Sequence, residues 1–207
     1  MINLWGFALV LLLNNAKKNS AKLFVLILLL GFLNISKAQE VDYDDIRSQG
    51  IALYATQNYK EAQKLFESIP SNKKDETIYL LLANIAQENS QDNVAISNLN
   101  KSLDKNFEFY KAYYNLGCIF ASKKSNLLAL SNFELAIKYN KNFAPAYYNL
   151  ARCQMELRDY KSAKKNLIKA LELEPTKDVY YNLAFCYKEL GNTKHAQKLL
   201  DIYNKMD

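Results

Sequence analysis

Apolar and small residues between positions 43 and 207 recur at helical spacing, in paired segments divided by short polar turns. The pairs repeat at long range. Ala62, Ala95, Ala129, Ala163 and Ala196 are separated by 33, 34, 34 and 33 residues. Other columns keep the same step. One holds Ile46, Tyr79, Tyr113, Tyr147 and Tyr180, and the next holds Gln49, Leu82, Leu116, Leu150 and Leu183. A small-residue column follows, with Gly50, Ala83, Gly117, Ala151 and Ala184. Beyond each alanine stand Phe66, Leu99, Phe133, Leu167 and Leu200. A fixed period of this length marks a stacked repeat array.

The spacing predicts first helices starting near Tyr43, Glu76, Tyr110, Ala144 and Lys177, and second helices starting near Tyr59, Asp92, Asn126, Tyr160 and Thr193. Polar turns such as Gln57-Asn58, Arg158-Asp159 and Gly191-Asn192 offer capping side chains. Pro145 suits a first helical turn and Pro175 a position just past a helix end. No run alternates as a strand would. In units two to five a tyrosine, a leucine one turn on and a small residue make one helix face with a point of close approach. The later alanine is the matching small site on the second helix. One such pair cannot bury its apolar face alone, so neighbours stack.

These columns resemble the tetratricopeptide repeat family. The segment from Ala146-Tyr-Tyr-Asn-Leu-Ala151 through Ala163, Ala170 and Pro175 carries most of the family signature. Tyr113-Tyr-Asn-Leu-Gly117 and Tyr180-Tyr-Asn-Leu-Ala184 repeat its opening. The resemblance covers about residues 43–207 and implies an all-α solenoid of about five helix-turn-helix units in a right-handed superhelix. Gln49, Ser102 and Gln154 depart from the pattern, and only the fourth repeat ends in the family proline.

The first 38 residues read differently. Lys17, Lys18 and Lys22 precede the apolar run Leu23–Leu33, and Ser36-Lys37-Ala38 follows it. This is the layout of a secretory signal peptide cut before Gln39. Counted as residues 23–35, the apolar core is about 13 residues, short of the ~20 that a spanning helix needs. The expectation is therefore export to the periplasm, with inner-membrane anchoring by residues 23–35 as the alternative.

That leader changes the charge argument. The whole chain carries +6, but residues 39–207 carry 23 basic against 21 acidic side chains, or +2. Bulk attraction to nucleic acid loses its support, and no nucleic-acid partner is expected. The remaining charge is uneven. Residues 39–109 hold 7 basic and 12 acidic side chains, whereas residues 110–207 hold 16 and 9. Lys161, Lys164, Lys165 and Lys169 fall on a second helix, which faces outward in the family.

Little in the chain suggests catalysis. No phosphate-binding glycine loop, zinc-binding helix motif, nucleophile elbow or paired C-x-x-C occurs. The single histidine, His195, falls at the start of the last helix. Neither an enzyme nor a cofactor nor a metal is expected. Cys153 and Cys186 share one column of neighbouring repeats, ~8–10 Å apart by helix packing, too far for a disulfide. They read as core thiols. Cys118 comes one residue earlier in its repeat and turns toward the inner face.

First helices line the concave surface in this family. The resemblance places Tyr114, Tyr148 and Tyr181 there, with Arg47 and Leu80 before them in the same column, and beside them Asn115, Asn149 and Asn182. An asparagine amide both donates and accepts, so it suits a peptide backbone, and tyrosine adds apolar area with a polar tip. These six are the candidate peptide-binding residues, and a protein or peptide is the expected partner. A family-type clamp for a chain-terminal carboxylate is not expected, because Leu81, Pro145 and Asp178 occupy positions it would need. The membrane enters only through an uncleaved leader. Self-association through the last repeat is a further expectation, since Leu183, Tyr187, Leu199, Ile202, Tyr203 and Met206 have no following helix to cover them.

Overall fold

The computed structural model describes residues 41–206. The chain divides into two units, Met1–Tyr43 and Asp44–Asp207. The expected leader and its junction at Ala38 lie outside the described residues. Among the described residues there are ten α-helices and no strand. They pair as α1 (Tyr43–Ala55) with α2 (Tyr59–Ser68) and α3 (Glu76–Glu88) with α4 (Asp92–Lys105). Next come α5 (Tyr110–Ser122) with α6 (Asn126–Tyr139) and α7 (Ala144–Glu156) with α8 (Tyr160–Leu173). The last pair is α9 (Lys177–Glu189) with α10 (Thr193–Tyr203). Every helix starts on the residue that the sequence pattern named. Each second helix also packs on the first helix of the next pair, so the five pairs form a solenoid.

One turn is used five times. Gln57, Ser90, Lys124, Arg158 and Gly191 stand at the same place before their alanines and take left-handed φ of 61°, 57°, 58°, 62° and 80°. The next residue's N–H bonds back to the first helix: Asn58 to Leu53, Gln91 to Ala86, Ser125 to Phe120, Asp159 to Gln154 and Asn192 to Tyr187. This left-handed stop satisfies carbonyls left over at the helix end. Only the fifth copy uses glycine, the residue that takes this conformation without steric cost. Capping is selective: Asp159 accepts from the Ser162 N–H and Asn192 from the His195 N–H, whereas Asn58 makes no side-chain cap.

The alanine column is the buried seam. Ala62, Ala95, Ala129 and Ala163 have no exposed surface and Ala196 is 5% exposed. Opposite it, the small first-helix residue meets the large residue one turn past the alanine. A β-carbon on Gly50 would lie 2.6 Å from the Phe66 ring, and one on Gly117 would lie 2.6 Å from the Phe133 ring. Where the first helix carries alanine, the large residue shrinks to leucine. Ala83 and Leu99 share one core cluster, and Ala151 and Leu167 share another. The small first-helix residue is therefore matched in volume to the large residue, and Ala83 and Ala151 share their clusters with the seam alanines Ala95 and Ala163 as well.

The departures from the family pattern find polar partners. Ser102 is fully buried and donates its hydroxyl to the Glu76 carbonyl at 2.8 Å. Gln154 accepts from Asn166 at 2.8 Å. Gln49 donates to Asp45 at 2.9 Å on the exposed face of α1. Lys74 reaches the Ile69 carbonyl past the end of α2, and burial lowers its pKa. The end helices are the least enclosed: only Gly50 of α1 and only Ala196 of α10 are buried.

Candidate peptide-binding groove

The first helices of repeats three to five cross-link four of the six candidate residues. The Asn149 amide donates to the Tyr114 hydroxyl at 3.0 Å, and the Asn182 amide donates to the Tyr148 hydroxyl at 3.0 Å. Each asparagine thus grips the tyrosine of the preceding repeat. Asn115 instead donates to the Asn84 carbonyl oxygen at 2.7 Å, and Asn84 donates to the Tyr54 hydroxyl at 3.1 Å. The rungs run from repeat one to repeat five. Each is a net ~0.5–1.5 kcal/mol contribution that fixes the register between neighbours.

This ladder changes what the asparagines can offer a partner. One amide N–H of each is engaged internally, so the second N–H and the carbonyl oxygen are the groups left to a ligand. Tyr181 closes the row with no following asparagine and is 51% exposed; its ring packs against Tyr203 at 5.6 Å. The sequence pattern does not point to Asn84 and Tyr54. They lie outside the Tyr-Asn-Leu column, so only the three-dimensional stagger of adjacent helices joins them to it.

Two pockets of about 250 Å³ flank Asn149, which lines both. One lies toward α5 and is lined by Cys118, Ala121, Ser122, Phe133, Arg152, Cys153 and Glu156. The other lies toward α9, between the Tyr114 and Tyr148 side chains, over Ala144, Ala170 and Val179, with Glu174 and Thr176 at its edge. Asn149 is common to their walls, and its partner Tyr114 lines the second.

Burial raises the pKa of the tyrosine and cysteine groups here. Burial pushes the Tyr114 hydroxyl up to about 12, with the neighbouring Cys118 thiol adding to it. Burial also raises Tyr148, with Asp178 contributing. Cys118 is half-buried in the first pocket, and burial raises its pKa against the opposing hydrogen bond from Tyr114. Cys153 and Cys186 are buried free thiols, each pushed up to about 11 chiefly by burial. Arg47, which stands in the tyrosine column of repeat one, pairs with Asp75 across the first repeat junction.

The outward lysines differ among themselves. Lys161 and Lys165 are exposed, Lys169 pairs with Glu172 at 3.0 Å, and Lys164 lies 5.3 Å over the Tyr187 ring of the next repeat. His195 stacks on Tyr187 at 5.3 Å. Among the described residues no group of three or more His, Cys, Asp or Glu could hold a metal ion, and no helix is long and apolar enough to cross a membrane.

An α-solenoid of repeated helix pairs with a lined concave face is the architecture of tetratricopeptide arrays. Residues 110–143, 144–177 and 178–201 match the tetratricopeptide repeat profile. Solved structures of MamA share the fold. MamA AMB-1 is 20% identical over 80% of this chain and 91% of that chain, at TM-score 0.67. MamA MSR-1 is 18% identical over 80% and 97%, at TM-score 0.65. The MamA RS-1 ArsTM double mutant is 18% identical over 81% and 96%, at TM-score 0.71. Identities this low speak to fold alone. No match to a curated protein was found.

Proposed function

We propose that this chain is an exported, non-catalytic scaffold that binds a protein segment in the concave groove of repeats three to five. Tetratricopeptide arrays are protein-interaction scaffolds, which supports the general class. The observation that carries the finer reading is the pair of pockets flanking Asn149 on the ladder of Tyr114, Tyr148, Asn149 and Asn182. A concave surface with a few convergent polar groups and apolar pockets is what a peptide site requires. Export rests on the leader pattern of residues 1–38.

A second reading has its own support. Tyr181, Phe185 and Ile202 leave apolar surface on the last repeat, which suits a subunit of an envelope assembly that docks through its array end. Affinity capture from envelope extracts, followed by mass spectrometry, separates the two. Under the groove reading, Ala121→Arg, which fills the first pocket, loses the captured partner and Ile202→Glu keeps it. The opposite outcome assigns the interaction to the array end.

A further inference from the structure

Arg152 stands in the middle of this groove without an ionic partner among the described residues. It is exposed on α7, and its guanidinium lies 5.9 Å from the Tyr148 ring centroid. Glu156 lines the same pocket one helical turn on, yet the ion pairs among the described residues are Arg47–Asp75, Lys123–Asp92 and Lys169–Glu172, and none involves Arg152. Its charge is felt on both sides of the rung, opposing the rise that burial imposes on Tyr114, Tyr148, Cys118 and Cys153. A planar guanidinium braced on an aromatic face, with its donors open to solvent, is prepared for a carboxylate.

The second pocket has a different character. Ala144, Pro145, Ala170 and Val179 give it an apolar base between two tyrosine side chains. Its α7 lining, Ala144 to Asn149, is displaced from that of the first pocket, Asn149 to Glu156, by about six residues, or ~9 Å along the helix. An extended chain covers that distance in about three residues at ~3.3 Å each. Cavities of this size hold one side chain apiece.

We propose that the groove of repeats three and four recognises an extended partner segment by two anchors: an Asp or Glu side chain received by Arg152, and an apolar side chain within a few residues of it, seated between Tyr114 and Tyr148. The proposal rests on the groove reading above and adds the partner's chemistry to it. The remaining Asn149 polar groups lie between the two anchors, where they meet the segment's backbone. Glu156 disfavours a second acid in the first pocket and so limits recognition there to one.

The test is selection of random peptides displayed on phage through their C-termini, so that every available carboxylate except the peptide side chains is masked by fusion. Wild-type protein is expected to select peptides carrying an acid within about four residues of a large apolar side chain. Arg152→Gln should lose the acid and keep the apolar residue, with at least a tenfold weaker affinity for the wild-type consensus peptide. Glu156→Gln should keep both. Selected peptides without an acid, or an acid that persists on Arg152→Gln, overturn the proposal while leaving groove binding intact. Peptides that bind Ala121→Arg as well as wild type place the site elsewhere and overturn the groove reading too, as does a library that yields no binder.

Discussion

Gly117 presents bare backbone to the ring of Phe133: a methyl group there would stand 2.6 Å from Cε1 and 2.7 Å from Cδ1. Phe133 has no exposed surface, so an added methyl group must displace a buried ring. The same relation joins Gly50 to Phe66, whereas repeats two and four use Ala83 with Leu99 and Ala151 with Leu167. The array builds one contact in two volume-matched ways.

Gly117→Ala should therefore destabilise the fold even though alanine is the better helix former. The helix gain is about 1 kcal/mol, and overpacking a filled core costs about 1–3 kcal/mol. Phe133→Leu alone leaves a cavity and should also destabilise, by ~1 kcal/mol or more. The double variant recreates the alanine–leucine pair and should be more stable than the two single costs predict, with a coupling of about 0.5–3 kcal/mol. Urea midpoints of the four proteins decide it. Strict additivity would refute the matched-pair account.

The helices are legible in the sequence because close helix approach forces small residues at fixed intervals. Ala62 through Ala196 mark those points, and the helix starts follow from them. The Gly–Phe partnership is only half visible. Both columns can be read, but which residues touch depends on the crossing of two helices. The ladder is less visible still. Asn149 meets Tyr114 because adjacent first helices are staggered, and no local pattern reports a hydrogen bond across 35 residues. The same limit hides the pairing of Arg47 with Asp75 and the reach of Lys164 to Tyr187. In each case the chemistry of the side chain is written in the sequence, and packing decides its partner.

The three free thiols should react in two classes. Cys118 and Cys153 line the same pocket, but Cys118 is half-buried whereas Cys153 is only 3% exposed and Cys186 has no exposed surface. Burial raises the pKa of all three, and reaction goes through the thiolate. A thiol-specific chromogenic reagent at neutral pH should modify Cys118 slowly and the other two only after denaturation. Cys118→Ser should abolish the native-state reaction. Rapid labelling of all three in the native protein would contradict this burial pattern.

Alkaline pH should destabilise the array. Tyr114 rises from 10.0 to about 12, and Cys153 and Cys186 rise from 9.0 to about 11. A raised pKa means that the folded state holds the proton more tightly than the unfolded state. That contribution is complete below the unfolded values and is lost as pH climbs through the folded ones. The melting temperature should therefore begin to fall above pH 9 and continue falling toward pH 12. Replacing both buried cysteines with alanine should remove the lower part of that decline. A melting temperature that is constant across this range would count against the assigned burial.

Ala163 and Lys164 are adjacent and should behave oppositely. Ala163 is fully buried in the seam between α7 and α8, so Ala163→Arg must overpack it or bury a charge, at a cost of about 2–4 kcal/mol. Lys164 lies over the Tyr187 ring at 5.3 Å, so Lys164→Ala loses one cation–π contact, worth about 0.5–1 kcal/mol. Equal urea midpoints for these variants would overturn the register of α8.

The last repeat carries exposed apolar surface. Tyr203 is already in use: its ring packs on Tyr181, and Lys177 lies 5.2 Å over it while donating to the Met206 carbonyl at 2.6 Å. Those contacts fold the chain end back onto α9. They still leave Tyr181, Phe185 and Ile202 at 51%, 37% and 42% exposure. The last described repeat therefore presents surface suited to a neighbour, and self-association should appear as a molecular mass in light scattering that rises with concentration. Ile202→Glu should suppress that rise at a modest cost in stability, because 42% of Ile202 is already exposed. Tyr203→Glu should suppress it and also speed amide exchange in α9 and α10, because it breaks the contacts that hold the final turn. A wild-type protein that stays monomeric at high concentration would rule out association through this end.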